Sequence, residues 1–195
     1  MNAHTDTRQH VLDTSRDVIL GKGFTAVGLT ELLSAAKVPK GSFYHYFKSK
    51  EDFGIALLED YFDKYISYLN ESLAPDGHSG ADRFMRFWSQ WTDPDSPCAS
   101  GARCLVVKLG AEVSDLSEPM RAVLREGTER IVARLSQCLA EGIEDGSLSR
   151  RLKPVQAALA LYELWLGASL MTKLRHDSHA YKNAMVTSRQ LLHLD

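Results

Sequence analysis

Three cysteines, Cys98, Cys104 and Cys138, are the residues of this 195-residue sequence best suited to covalent chemistry. An odd count at irregular spacing fits neither a disulfide framework nor a zinc site, so we expect reduced thiols inside a cell. Cys104 follows Arg103 where a helix is predicted to begin, and Lys108 lies one turn further on. A helix N-terminus and nearby cations favour thiolate over thiol, and a thiolate reacts with electrophiles and oxidants. Cys104 is thus a candidate reactive residue, the alternative being a structural thiol packed behind its helix.

The neighbours of Cys138 and Cys98 in the sequence activate a thiol less than those of Cys104. Cys138 is in register with apolar neighbours such as Leu135, which predicts a small buried hydrophobe. Cys98 lies in a proline-containing loop, is expected to be exposed and has no evident activating group. Lys173, a lone cation near the end of an apolar helix, is a candidate partner of Cys104, because a nearby ammonium lowers a thiol pKa. Alternatively, its amine simply extends to solvent.

A second candidate site is the segment VPKGSFYHYFKSKEDF (38–53), which concentrates lysines and aromatic residues. No acid lies between Glu31 and Glu51, although the whole chain has a net charge of −2. Any binding of a polyanion must therefore come from such a local patch. The glycine at position 41 also allows a backbone to approach a partner closely.

A helical wheel divides this segment into two faces. At about 100° per residue, one arc collects five residues and the opposite side collects three aromatics. The first set is Lys40, Gly41, Tyr44, His45 and Lys48; the second is Phe43, Tyr46 and Phe47. Two short helices joined by a tight turn, the second with a basic and aromatic face, form a helix-turn-helix that can enter a DNA groove. The alternative is a solvated charged face on a helical bundle.

The rest of the chain must position these sites, and almost all of it has helical periodicity. We predict helices at about 5–21, 29–36, 40–46, 49–73, 81–92, 103–113, 118–145, 154–174 and 181–193. Ser49 and Asp52 resemble a capping box at the start of the fourth helix, and 74–80 (APDGHSG) is the clearest linker. The sequence predicts an all-α fold of about nine helices.

Several classes of protein are disfavoured. No apolar run approaches the roughly 20 residues of a membrane span, and the N-terminus has no secretion signal. Phosphate-binding glycine loops and hydrolase motifs are absent from the sequence, so we expect no catalytic residues and no cofactor. His176, Asp177 and His179 lack a fourth partner, so we expect no metal site.

The pattern LTELLSAAKVPKGSFYHYFKSKEDF closely resembles the DNA-binding domain of TetR-type bacterial repressors. The resemblance is strong over residues 8 to about 57, and the later helices match in number and length. It departs at Lys37, where the family often has glycine. The resemblance implies a helix-turn-helix domain over residues 1–48 and a regulatory and dimerisation domain over 49–195. It also implies a cytoplasmic, nucleoid-associated homodimer that places two recognition helices in successive major grooves of a palindromic double-stranded operator.

The resemblance also assigns roles to residues of the helix-turn-helix. The group expected near base edges is Lys40, Gly41 and Ser42; the group expected mainly at phosphates is Thr30, Tyr44, His45 and Lys50, and Lys48 shares the same exposed face. Phosphate contacts position such a helix, and residues at its N-terminal end specify the sequence.

The C-terminal half is expected to hold the dimer face and the effector site. The helix at 154–174 is apolar over a wide arc, either as a core helix or, as the resemblance implies, because the last two helices pair with their symmetry mates. Six aromatics could line a ligand cavity or be plain core: Phe84, Phe87, Trp88, Trp91, Tyr162 and Trp165. The segments RCLVVKLGAEVSDLSEPMR and LWLGASLMTKL resemble NemR-type members, which sense electrophiles through cysteine. Two effector mechanisms stay open, a switch at Cys104 and non-covalent binding of an aromatic or lipophilic molecule.

Overall fold

The computed structural model describes residues 3–93 and 104–194, with side chains from Thr7 onward. These residues form nine helices and no strand. The helices are α1 (Ala3–Lys22), α2 (Leu29–Ala36), α3 (Lys40–Tyr46), α4 (Lys50–Ser72), α5 (Gly80–Ser89), α6 (Leu105–Ser114), α7 (Glu118–Glu144), α8 (Pro154–Arg175) and α9 (His179–Leu191). The all-α prediction is confirmed. The largest error is at the end of α5, which was expected to continue to about residue 92. Cys98 and Arg103 lie outside the described residues.

The described chain divides into two compact units. The first contains the residues up to Lys64 together with Cys104–Gly127, and the second contains Tyr65–Asp93 and Thr128–Leu194. The predicted domain boundary between residues 48 and 49 stays a prediction. No helix among the described residues is long and apolar enough to cross a membrane.

In the first unit, α1, α2 and α3 surround an apolar core. The core residues are Leu12, Ile19, Val27, Leu32, Phe43, Phe47 and Phe53, all of which are at most 1% exposed. His10 on α1 also forms a 3.0 Å hydrogen bond with the Ala36 carbonyl at the end of α2. Apolar burial on one face of each short helix therefore fixes α2 and α3 relative to α1.

The turn between α2 and α3 is left-handed at Lys37, with φ 54° and ψ 38°. The Lys37 and Val38 N–H groups donate to the Ser34 and Leu33 carbonyls, which closes the end of α2. A side chain in this backbone region costs about 1 kcal/mol, and glycine does not incur that cost.

We therefore expect Lys37→Gly to raise the free energy of unfolding by about 0.5–1 kcal/mol, less than the full strain because glycine also gains entropy in the unfolded chain. Urea denaturation monitored by circular dichroism measures the change. Ala35→Gly, in the last turn of the same helix, where the backbone is right-handed, is the control and should be destabilising. A loss of stability in Lys37→Gly would contradict the strain argument.

In the second unit, α5 and α7 approach closely at a pair of glycines. A Cβ on Gly80 would lie 2.4 Å from the Gly142 backbone nitrogen, so only glycine fits there. Cys138 packs at the same contact, fully buried, with its Sγ 3.6 Å from the Gly80 carbonyl oxygen. Burial raises the pKa of this thiol to about 11. The prediction that Cys138 is a buried hydrophobe is confirmed.

Candidate nucleic-acid interface and thiol site

The exposed face of α3 is the candidate DNA-binding surface. Lys40, Gly41, Tyr44, His45 and Lys48 are all exposed, and Tyr44 has 48% of its surface accessible. The Lys40 ammonium lies 5.8 Å from the centre of the Tyr44 ring, close enough for a cation–π contact. The helical-wheel prediction of this face is confirmed, whereas its role in DNA binding stays a prediction.

Two further residues assigned to this surface differ in exposure. Thr30, in the first turn of α2, is exposed, and Ser42 in α3 is half-buried. A half-buried hydroxyl near the start of α3 has restricted freedom. It can therefore contribute to a base contact only from a fixed position.

The opposite face of α3 is held by an aromatic cluster. The Phe43 ring centre lies 5.1 Å from that of Phe47 and 5.5 Å from that of Phe53 in α4. The Arg8 guanidinium carbon lies 5.5 Å from the Phe47 ring centre. Tyr46, which we expected to point inward, is only half-buried. A seven-residue helix is thus oriented by two phenylalanines rather than by its own stability.

Lys50 begins α4 and contacts the loop between α1 and α2. Its ammonium donates to the Phe24 carbonyl oxygen at 2.7 Å and lies 4.7 Å from the centre of the Phe24 ring. Burial lowers the pKa of Lys50, and the negative charge of Glu112 opposes that shift. The side chain is half-buried, so part of it packs against the loop and the remainder is accessible to solvent.

The start of α4 has the predicted cap, with one difference. The Asp52 N–H donates to Ser49 Oγ at 3.0 Å, as a capping box requires. The Asp52 carboxylate accepts instead from the Lys48 N–H, at 2.8 Å, one residue before the expected donor. The Lys48 backbone is thereby fixed while its side chain stays exposed.

Cys104 is the N-cap residue of α6 and is half-buried. The Tyr61 hydroxyl donates to Cys104 Sγ at 3.5 Å, and Tyr61 itself is only 7% exposed. A hydroxyl donor and the free N–H groups of a helix N-terminus both favour a thiolate. Tyr61 was missed by the sequence reasoning, because residues 43 positions apart in α4 and before α6 have no shared pattern.

Lys108, one of the cations expected to act on Cys104, makes a different contact. Lys108 directs its ammonium to the Gly21 carbonyl oxygen, at 3.3 Å. Lys173 is half-buried in the last turn of α8 and belongs to the second unit, whereas Cys104 belongs to the first. The role of Lys173 therefore stays a prediction.

Glu112, two turns after Cys104 in α6, contacts the loop between α1 and α2. Its Oε1 accepts the Thr25 N–H at 2.5 Å and its Oε2 accepts the Phe24 N–H at 3.2 Å. Burial raises the pKa of Glu112, but the hydrogen bonds from Thr25 and Phe24 and the charge of Lys108 outweigh burial, and the net pKa is lowered. The carboxylate is therefore ionised at neutral pH and holds two backbone donors.

The six aromatics expected to line a pocket are all buried in the second unit. They are Phe84, Phe87, Trp88, Trp91, Tyr162 and Trp165, each at most 4% exposed. Trp88 stacks on Trp165 with ring centres 4.8 Å apart and planes 13° apart. Within the described residues, the indole nitrogens of Trp88 and Trp91 have no hydrogen-bond acceptor. The group is a packed aromatic cluster with two unused donors; its role as a pocket stays a prediction.

Comparison with known proteins identifies the family and supports the fold. The family model for bacterial regulatory proteins of the tetR family matches residues 11–57, and that for the tetracyclin repressor-like C-terminal domain matches residues 80–187. The chain is 42% identical over 194 residues to the HTH-type transcriptional repressor NemR of Escherichia coli, covering 98% of each chain. It is 36% identical over 168 residues to the transcriptional regulator AcuR of Cereibacter sphaeroides, covering 85% of this chain and 76% of AcuR.

A solved structure is similar to the whole fold. The crystal structure of the reduced form of E. coli NemR superposes with a TM-score of 0.88 at 44% identity, covering 95% of this chain and 96% of that one. The helix-turn-helix with its exposed basic face, followed by the helical C-terminal half, defines a bacterial transcriptional repressor. The chain belongs to the TetR family, and its sequence and fold are similar to those of NemR.

Proposed function

We propose that this protein binds a palindromic operator as a homodimer and that modification of Cys104 by an electrophile or oxidant releases the DNA. One observation carries the proposal: Cys104, the half-buried N-cap residue of α6, accepts the Tyr61 hydroxyl at its sulfur, in the same unit as the helix-turn-helix. NemR, with which the chain shares 42% identity, has a solved structure of a reduced form. Such a repressor acts where the chromosome is, in the bacterial cytoplasm.

The DNA contacts follow from the exposed face of α3. Lys40 and Gly41 lie in its first turn and Ser42 follows, where a recognition helix meets base edges. Tyr44, His45 and Lys48 are exposed along the same helix, and Thr30 is exposed in α2. We assign the first group mainly to base contacts and the second mainly to phosphates. Backbone contacts fix the register on the DNA, and base contacts give sequence preference.

The homodimer is assigned to α8 and α9. Their exposed large apolar residues are Val155, Leu159, Leu170, Leu174 and Val186, each at least 46% exposed in the single chain. Gly167 lies in the groove between the two helices, and a Cβ built there would meet no atom within 4 Å. Apolar side chains of this size on neighbouring helices favour pairing with a second copy.

The proposed switch is a thiolate addition. The Cys104 sulfur bonds to one alkene carbon of an electrophile such as N-ethylmaleimide, and the adjacent carbon takes up the proton that the thiol released. The adduct thus keeps every atom of both reactants. For operator affinity to fall 100-fold, the adduct must favour the released form by about 2.7 kcal/mol. Gel shift on DNA upstream of the protein's own gene, with and without N-ethylmaleimide, tests the proposal directly.

Lys50→Ala should weaken binding to specific and non-specific DNA alike. One phosphate contact would be lost in each protomer, two in the proposed dimer, so the slope of log affinity against log salt should flatten by about two units. Fluorescence anisotropy across a salt series measures that slope. Arg150→Ala, which removes one exposed cation from the second unit outside α8 and α9, is the charge-matched control and should leave the slope unchanged. An unaltered slope in Lys50→Ala would mean that the ammonium serves only the Phe24 loop.

Among the described residues no acceptor pairs with the indole N–H groups of Trp88 and Trp91, which favours a second candidate, release by a non-covalent aromatic ligand that carries a hydrogen-bond acceptor. Buried donors without a partner cost free energy, and a ligand carbonyl would recover it. Benzophenone, an aromatic ketone without a reactive alkene, is a suitable probe under reducing conditions. Quenching of tryptophan fluorescence together with loss of operator binding in Cys104→Ser would support this alternative. Loss of binding only with a thiol reagent would support the switch.

A further inference from the structure

The first unit contains a polar bridge between α6 and the loop that joins α1 to α2. The two carboxylate oxygens of Glu112 each accept one N–H from consecutive loop residues, Thr25 at 2.5 Å and Phe24 at 3.2 Å. We call this pair of contacts the Glu112 bridge. A fork of two acceptors facing two successive donors fixes orientation as well as distance. The bridge thus attaches the C-terminal end of α6 to the loop that precedes the helix-turn-helix.

The same loop also contacts Lys50, which we propose as a phosphate ligand. The Phe24 carbonyl oxygen, which belongs to the same peptide group as the Thr25 N–H of the bridge, accepts from the Lys50 ammonium at 2.7 Å. Lys50 also donates to the Thr25 carbonyl oxygen, at 3.5 Å. A displacement of α6 at Glu112 therefore moves the backbone to which a proposed phosphate ligand is tied.

The loop backbone is adapted to the bridge. Gly23 has a left-handed φ of 94°, and a Cβ on it would lie 2.9 Å from Glu112 Oε2. A side chain would therefore be both strained and crowded at this position. Lys108 adds a parallel contact, because its ammonium lies 3.3 Å from the Gly21 carbonyl oxygen.

The bridge lies on the same helix as the proposed sensor. Cys104 caps α6 and Glu112 lies eight residues later, about 12 Å along the axis at 1.5 Å per residue. The ten-residue α6 is one continuous helix without a proline, so its two ends move together. A shift at the capping residue reaches Glu112 without an intermediate element.

We propose that Glu112 is the positioning residue through which α6 transmits the state of Cys104 to the helix-turn-helix; this inference rests on the proposed thiol switch. In the reduced protein the bridge holds the loop and Lys50 in the geometry that binds operator. When an adduct displaces the start of α6, the carboxylate withdraws from the Phe24 and Thr25 N–H groups, and the loop is released.

Glu112→Gln tests the proposal, because glutamine keeps the shape but offers one acceptor and presents an NH₂ group to the second N–H donor. After N-ethylmaleimide treatment, wild type should lose about 100-fold in operator affinity, whereas Glu112→Gln should change less than 10-fold between reduced and treated forms. Mass spectrometry should show the same adduct at Cys104 in both proteins. Glu118→Gln, which removes an exposed carboxylate paired with Arg121 in the same unit, should respond like wild type.

The outcomes separate the two proposals. If wild type itself does not respond to the adduct, the thiol switch fails. If wild type responds and Glu112→Gln responds equally, the bridge does not transmit and this inference is overturned. Hydrogen exchange of wild type provides a test that needs no variant to fold. Alkylation should speed exchange at least 10-fold in a peptide covering Phe24 and Thr25, and unchanged exchange there would also overturn it.

Discussion

Cys104→Ser is expected to bind operator as tightly as reduced wild type and to keep that affinity after N-ethylmaleimide, under which wild type weakens about 100-fold. Serine is nearly isosteric, and its oxygen can still accept the Tyr61 hydroxyl, which donates to the sulfur in wild type. The hydroxyl is a far weaker nucleophile than a thiolate, so no adduct forms. A 100-fold difference corresponds to about 2.7 kcal/mol of coupling between the modified thiol and the DNA.

Gel shift measures the operator affinity, and the number of alkylated thiols is counted in the same samples. Cys98→Ser is the control with the same chemical change at another cysteine, and it should respond to the reagent like wild type. Cys104→Ser that still releases operator after treatment would rule out Cys104 as the sensor. Non-covalent binding of a ligand at the aromatic cluster around Trp88 would then be the favoured effector mechanism.

Gly167→Trp is expected to convert the proposed dimer into a monomer and to lower operator affinity at least about 100-fold. The indole would fill the groove between α8 and α9, where the glycine leaves open space in the single chain. A monomer reaches one half-site only, and loss of the linked second contact commonly costs a factor of 10²–10⁴. Sedimentation equilibrium gives the mass, and anisotropy gives the affinity.

Ala133→Trp is the matched control, since it adds the same indole at an exposed small residue of α7. It should remain dimeric and bind operator normally. If Gly167→Trp is dimeric and binds operator with normal affinity, this groove is not part of the dimer interface. Far-ultraviolet circular dichroism checks that both variants keep their helical content.

Local periodicity was sufficient to predict the helices and the faces of the recognition helix. Phe43 and Phe47 are buried while Tyr44 is exposed, because a seven-residue helix on an apolar surface has only one orientation that buries both rings. The left-handed turn at Lys37 follows from the family resemblance, since Lys37 takes a position that is often glycine in the family, and its φ is 54°.

The long-range polar contacts were not predictable from the sequence. Glu112 and Thr25 are 87 positions apart, and an acid on an amphipathic helix looks the same whether it meets solvent or two backbone donors. Lys108 shows the same limit. Its position one turn after Cys104 suggested a cation for the thiol, but its long side chain carries the ammonium to the Gly21 carbonyl. The direction of a side chain depends on its tertiary neighbours, and the local sequence pattern does not specify them.

Cys138 gives this repressor an internal reporter of unfolding. Its thiol is fully buried at the close contact of α5 and α7, and burial raises its pKa to about 11. A thiol reagent can reach it only when that contact opens, so its labelling rate in native buffer measures the opening equilibrium of the second unit. Loss of DNA binding that follows the slow labelling of Cys138 would therefore signal damage to the protein, whereas loss that precedes it would signal regulation.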